Sequence, residues 1–309
     1  MSNGEFDIAV VGAGLAGLTA GLTGARLGRS VLIVTGDVLG GHLLSVEKVE
    51  GYPGFPEGVP GYDLCPMTQV QAADAGAQFS MTSVQALESR DGPWRLETNA
   101  ESHTAGAVIL ATGTRFRRLG VAGEDIYFGK GVSQCASCDA PLLRGKEAVV
   151  IGGGDSAAQE ALTLAPHVSG LTLLVRGGAL QAQAIYRDRL LADGKVEVRY
   201  NAEVEEILGE DVVTGVRVRD TSDGAVTEIA TEAVFVFIGL QPNAEFLNGV
   251  VPLTESGHIP TDDRMRTVRP GLFAAGSVRA DNAGQAVAAA GDGTSAALAA
   301  HAYLEEGSS

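Results

Sequence analysis

Phe6-Asp7-Ile8-Ala9-Val10-Val11 runs directly into Gly12-Ala13-Gly14-Leu15-Ala16-Gly17, and a small-residue stretch continues to Leu27 before Ser30 to Val34 turns apolar again. Strand, glycine turn, helix and second strand in that order make a βαβ unit, the context in which GxGxxG is a dinucleotide fingerprint. Gly12 permits the tight turn, Gly14 lets the backbone approach a pyrophosphate, and Gly17 lets the helix pack on the strand. The free N–H groups at the helix start face the phosphates. The second strand ends Val34-Thr35-Gly36, which leaves Asp37 as the carboxylate that could reach an adenosine ribose.

The pattern recurs. Glu147 to Ile151 is a strand, Gly152-Gly153-Gly154-Asp155-Ser156-Ala157 opens a helix to about Leu164, and Leu171 to Val175 closes the unit. Gly152, Gly154 and Ala157 hold the GxGxxA positions, with Asp155 and Ser156 in the turn, so a second nucleotide fold is expected. Its second strand ends Leu174-Val175-Arg176-Gly177-Gly178. That end has no acid for a free 2′-hydroxyl and only Arg176 for a 2′-phosphate, so a βαβ unit without its ligand is the competing reading.

Between the two fingerprints stands Cys135-Ala136-Ser137-Cys138-Asp139. A CxxC can be half of a zinc site, but zinc takes four ligands, and the only other cysteine, Cys65, stands alone before Pro66. No metal site is expected. Beside two dinucleotide folds the pair reads as redox chemistry: a thiolate is the nucleophile, and a CxxC at a helix start lowers the pKa of the exposed cysteine. Asp139 is placed to act as acid and base toward the departing sulfur. Cys65 reads as a packed small apolar side chain.

The whole chain fits this assignment. Its 309 residues exceed one ordinary domain, and 45% apolar residues can build sizeable cores. Twenty-two Lys and Arg against 38 Asp and Glu give a formal charge of −16, which disfavours a nucleic acid or an anionic membrane as partner. Three cysteines are too few for a secreted disulfide framework, and no signal peptide is evident, so a cytoplasmic location is expected. Gly12, Gly14, Gly17, Gly21 and Gly24 break the early apolar run, leaving no membrane span. Two further strands, Val108-Ile109-Leu110 before Ala111-Thr112-Gly113 and Val234 to Ile238 before Gly239, end in turns that could close on a nucleotide. Leu272-Phe273-Ala274-Ala275-Gly276-Ser277 leads to a small-residue helix starting near Gln285. The start of that helix could face a flavin carbonyl, or its alanines and glycines could serve close packing.

Taken in order, these motifs resemble the low-molecular-weight thioredoxin reductases, a branch of the flavin-dependent pyridine-nucleotide disulfide oxidoreductases. The resemblance adds Gly40-Gly41-His42-Leu43, Glu50-Gly51-Tyr52-Pro53-Gly54 and Ile238-Gly239 before Pro242-Asn243, and covers nearly the whole chain. It implies an α/β fold of two Rossmann-like nucleotide-binding domains, the second inserted into the first. An FAD domain would span 1–116 and 246–309, and a pyridine-nucleotide-type domain carrying the CxxC would span 117–245. It implies FAD contacts from Gly12, Gly14, Ala16, Gly17, Gly41, His42, Thr112, Gly113, Gly276, Ser277, Gln285 and Ala286. Contacts to NADPH or NADH would come from Gly152, Gly154, Asp155, Ser156, Ala157 and Arg176. It also implies a homodimer, a rotation between domains, Cys138 facing the flavin, and Cys135 exchanging with the substrate.

The chain departs from the family pattern at four places. Val175-Arg176-Gly177-Gly178 replaces a histidine and two arginines for the 2′-phosphate, and Gly276-Ser277 replaces Gly-Asp at the ribityl chain. Gly284 replaces an arginine before Gln285, and Ala140-Pro141 follows Asp139 where a glycine is usual. The expected activity is that of an FAD-dependent dithiol/disulfide oxidoreductase acting through Cys135, Cys138 and Asp139. Its partner would be a thioredoxin-like protein or a small dithiol or disulfide. Two alternatives remain: a dithiol oxidase passing electrons from flavin to oxygen, and a flavin redox sensor without turnover.

Overall fold

The computed structural model describes residues 4–89 and 92–307, so the extreme ends of the expected FAD domain, 1–3 and 308–309, lie outside the described residues. The opening strand β1 (Glu5–Val11) is followed by α1 (Leu15–Arg26) and β2 (Val31–Val34). The last four residues of β1 and all of β2 are buried, as expected of parallel strands covered on both faces. After a helical turn at Gly41–Ser45 come α2 (Gly61–Asp74) and five strands. These are β3 (Gln78–Ser80), β4 (Val84–Glu88), β5 (Trp94–Thr98), β6 (Ser102–Leu110) and β7 (Thr114–Phe116).

Next are β8 (Val132–Ser133), the short helix α3 (Ala136–Asp139), β9 (Glu147–Ile151), α4 (Asp155–Leu164), β10 (Gly170–Leu174), α5 (Ala184–Ala192) and β11 (Val196–Arg199). A meander of β12 (Ala202–Gly209), β13 (Val213–Asp220) and β14 (Val226–Ala230) precedes β15 (Ala233–Val236). The chain ends with β16 (Leu240–Pro242), β17 (Leu272–Ala274) and α6 (Ala286–Glu306).

Contacts divide the chain into two compact units, one running up to Arg115 and resuming at Gln241, the other Phe116–Leu240. The first is built on the sheet β3-β2-β1-β6-β5-β4. Its strand β6 does double duty. One edge pairs in parallel with β1, while the other pairs first with β5, antiparallel, and then with β17, parallel, through Val108↔Leu272 to Leu110↔Ala274. Ile8, Val10, Leu18, Ile33, Ile109 and Phe273 form the core between this sheet and α1 and α6. Each such side chain stabilises the fold by roughly 1.5–3 kcal/mol through burial. The small residues of α6 let it lie against α1: a Cβ at Gly293 would fall 2.2 Å from the Ala16 carbonyl oxygen.

The second unit carries the parallel sheet β11-β10-β9-β15-β8 and the antiparallel meander β12-β13-β14. The return crossing falls at Leu240/Gln241, a few residues ahead of the 245/246 that the family resemblance implies. The cause is Asn243. Its Nδ2 donates to the Thr112 carbonyl at 3.0 Å and its N–H to the Gly113 carbonyl at 3.0 Å, while Thr112 Oγ1 donates to the Asn243 carbonyl at 2.7 Å. Those bonds tie 241–245 to the Ala111-Thr112-Gly113 turn of the first unit.

Candidate active site

The first glycine turn has the shape that its residues predict. Gly12 takes φ +108°, and a Cβ there would sit 2.3 Å from the Ala111 oxygen; one on Gly17 would sit 1.9 Å from the Gly12 oxygen. Gly14 differs, since a Cβ there would meet no atom within 4 Å. The room before Gly14 is left for something outside the chain. No side chain caps α1 and no acid stands in its first turn, so its buried N-terminus offers N–H groups and a positive dipole end. A pyrophosphate fits that cradle.

The other residues expected at this turn divide into those drawn to it and those held elsewhere. Gly40 N–H donates to the Ala13 carbonyl at 2.8 Å, which brings Gly41 (φ +61°) beside Gly14. Desolvation lowers the His42 pKa although the residue keeps an exposed edge, so the neutral ring is favoured. Gly276 (φ +75°) faces Ala16, and the Ser277 hydroxyl lies 3.2 Å from that of Thr114, beside Gly113. Gln285 precedes α6, whose first turn carries no acid, with Ala286 as its first residue. Asp37 is exposed and accepts from the Ser83 hydroxyl at 3.0 Å.

Sequence reading missed Asp292, in the second turn of α6. Its carboxylate is buried and accepts from Gly276 N–H (3.1 Å), Arg279 Nε (3.1 Å) and Asn282 Nδ2 (2.9 Å). Although residue 277 is serine, a carboxylate from the helix therefore fixes the Gly276-Ser277 turn from behind. The G-D-G of Gly291-Asp292-Gly293, an acid flanked by glycines inside a small-residue helix, was the available signal.

The second glycine turn repeats the first in outline. Gly152 takes φ +143° with its Cβ position 2.2 Å from the Phe237 oxygen and 2.9 Å from the Ala157 Cβ, while nothing lies within 4 Å of a Cβ on Gly154. It differs in having an acid at the helix start. Asp155 accepts from Gln183 through its backbone N–H and its Nε2, both at 2.7 Å, and Gln181 N–H donates to the Gly153 carbonyl at 2.7 Å. The loop after β10 is thereby fastened to the turn. Arg176, Gly177 and Gly178 are exposed on it, Arg187 pairs with Asp188, and Arg199 pairs with Glu197.

Cys135 and Cys138 form a disulfide across α3. Cys135 is the N-cap of that helix, and its sulfur accepts from Cys138 N–H at 3.2 Å and lies 3.5 Å from the Ser137 hydroxyl. Cys138 is exposed, Cys135 half-buried, and Asp139 half-buried directly after them. Sequence reading gave exposure and amide support to one cysteine; the structure divides them, with the hydrogen bonds on Cys135. That support favours its thiolate by direct donation, since four residues of helix add little dipole.

Cys65 has no accessible surface, and burial pushes its thiol up to about 11. It is expected to stay unmodified when native protein meets iodoacetamide at neutral pH and to react on unfolding; rapid native alkylation, read by intact mass, would contradict this packing role. Among the described residues no group of His, Cys, Asp and Glu could hold a metal ion. No described helix is long and apolar enough to cross a membrane.

Two dinucleotide turns and a redox-active type of disulfide in one chain define the class of the flavin-dependent disulfide oxidoreductases. The model of the family described as pyridine nucleotide-disulphide oxidoreductase matches residues 6–293. A thioredoxin reductase of Treponema pallidum is 38% identical over 304 residues, covering 97% of this chain and 98% of its own. The crystal structure of Lactococcus lactis thioredoxin reductase superposes with a TM-score of 0.95 at 34% identity, covering 97% of this chain and 99% of that one. That of T. acidophilum thioredoxin reductase gives 0.93 at 37% identity, covering 99% of each. The chain belongs to the pyridine nucleotide-disulphide oxidoreductase family, and within it has the low-molecular-weight thioredoxin reductase type of fold. It is an FAD-dependent disulfide oxidoreductase.

Proposed function

We propose that this chain reduces the disulfide of a thioredoxin-like protein through the Cys135–Cys138 pair. The observation that carries the reading is that disulfide itself, on a turn with one exposed sulfur and one sulfur held by an amide. Full-length similarity to thioredoxin reductases favours it over a dithiol oxidase or a sensor. FAD fits the cradle of Gly12, Gly14 and Gly17 with Gly41, the Thr112-Gly113 turn, Gly276-Ser277 and the start of α6. When bound, it supplies the two-electron link between a nicotinamide and the disulfide.

The exchange follows from the two sulfurs. With the pair reduced, the exposed Cys138 thiolate attacks the substrate disulfide, forming one S–S bond as the substrate bond breaks and one substrate thiolate leaves. Cys135, kept toward the thiolate by Cys138 N–H, then attacks the Cys138 sulfur. The enzyme disulfide reforms and the second substrate thiolate leaves. Asp139, next in the chain after Cys138, would hand protons to the leaving sulfurs. The family resemblance implies the opposite order, with Cys135 exchanging and Cys138 facing the flavin, and trapping by the single-cysteine variants decides between the two. A cytoplasmic homodimer is the proposed working form; a monomer by light scattering at micromolar concentration would remove the dimer.

Steady-state reduction of a thioredoxin disulfide, with NADPH and NADH compared as donors, tests the activity. NADPH is expected to exceed NADH in kcat/KM by about 10- to 150-fold, the contribution of one cation, and not by the larger factor of a paired site. A charge-assisted contact to the 2′-phosphate is worth roughly 1.5–3 kcal/mol, and Arg176 stands without a second cation from Gly177 or Gly178. A larger NADPH preference would mean that other arginines reach the phosphate. Absence of turnover with either donor, in protein saturated with FAD, would overturn the reductase reading.

A further inference from the structure

Glu160, in the middle of α4, has only 9% of its surface exposed, and its Oε2 accepts from Ala136 N–H at 3.1 Å. Ala136 is itself fully buried and follows Cys135 in the chain. The amides of the redox turn are thus shared among separate acceptors. Cys135 N–H goes to the Ser133 hydroxyl at 3.1 Å, Ala136 N–H to Glu160, Cys138 N–H to the Cys135 sulfur, and Asp139 N–H to the Cys135 carbonyl at 3.3 Å. Glu160 both fixes the turn and withholds one of its N–H donors from sulfur, while setting a carboxylate beside a dithiol that becomes negative when it ionises. A nearby like charge disfavours the thiolate. Since a disulfide's tendency to be reduced rises with the stability of its reduced form, the carboxylate makes the reduced pair the stronger donor.

We propose that Glu160 is a positioning residue for the Cys135–Cys138 turn, and that its carboxylate poises the pair toward giving up electrons. The inference rests on the dithiol-exchange reading above. Two electrons and up to two protons enter the pair on reduction and leave it to the substrate disulfide; Glu160 takes part in neither transfer.

The test equilibrates the FAD-loaded protein with glutathione redox buffers at mildly alkaline pH and counts free thiols by alkylation and mass, which needs no turnover. Glu160→Gln keeps an oxygen for Ala136 N–H and removes the charge. It is expected to shift the exchange equilibrium toward the reduced pair by about tenfold, the order of one screened charge interaction. Glu160→Asp keeps the charge but is one methylene short of Ala136 N–H, so its equilibrium is expected to stay near wild type while the rate of thiol–disulfide exchange falls several-fold. Wild-type equilibria and rates in both variants, or a shift of Glu160→Gln toward the disulfide, would overturn the proposal. A wild-type pair that never exchanges with glutathione would instead overturn the dithiol reading on which it stands.

Discussion

Cys135→Ser and Cys138→Ser are each expected to abolish disulfide reduction, with kcat/KM falling by on the order of 10⁴-fold or more, because groups that act as a unit fail together when either is lost. The two variants should then part company toward an aromatic disulfide reagent. Cys135→Ser keeps the exposed sulfur and removes the one that would resolve a mixed disulfide, so it should trap the reagent rapidly and hold it. Cys138→Ser keeps the half-buried sulfur and should trap slowly. Mass spectrometry of the adducts reads the difference. Faster trapping by Cys138→Ser would return the roles to those of the family resemblance, and wild-type turnover in either variant would remove the dithiol relay altogether.

Asp292→Ala is expected to destabilise the first unit by about 3–5 kcal/mol, because it strips the counter-charge from Arg279, whose side chain is 15% exposed, and leaves the Gly276 N–H without its acceptor. Arg279 keeps bonds to the Thr261 hydroxyl and the Ala280 carbonyl, which places the effect toward the lower end. Melting should fall by on the order of 10 °C, with FAD lost on gel filtration. Asp292→Asn still offers an oxygen to Gly276 N–H, so it should retain more FAD than the alanine variant. An alanine variant with wild-type melting and full FAD content would show that the turn holds without the carboxylate.

Legibility followed the range of the interactions. The two glycine turns could be read because a Gly12 or Gly152 with positive φ and a Gly14 or Gly154 with open space are demands made by neighbouring backbone within one βαβ unit. The CxxC could be read for the same reason. Glu160 could not: in sequence it is an ordinary helical acid, and its burial depends on α3 reaching α4 from a strand away. Asp292 is one acid between glycines in a small-residue helix, and its partners Arg279 and Asn282 lie in the segment before that helix, beyond the reach of the helical pattern. The place where the chain returns to the first unit could not be read either, because Asn243 answers Thr112 across the whole of the inserted unit, a pairing that no local spacing encodes.

The division of β6 and the seating of α1 on α6 set an order for synthesis. As the chain leaves the ribosome, β1, α1 and β2 emerge first, yet the face of α1 that meets Gly293 waits for about 270 more residues, tens of seconds at ordinary elongation rates. Phe116–Leu240, a compact unit of its own, is by then complete and can fold while its host is still unfinished. In that order the inserted unit would fold ahead of its host, leaving an open α1 and an unfilled edge of β6 as the surfaces on which a chaperone would act.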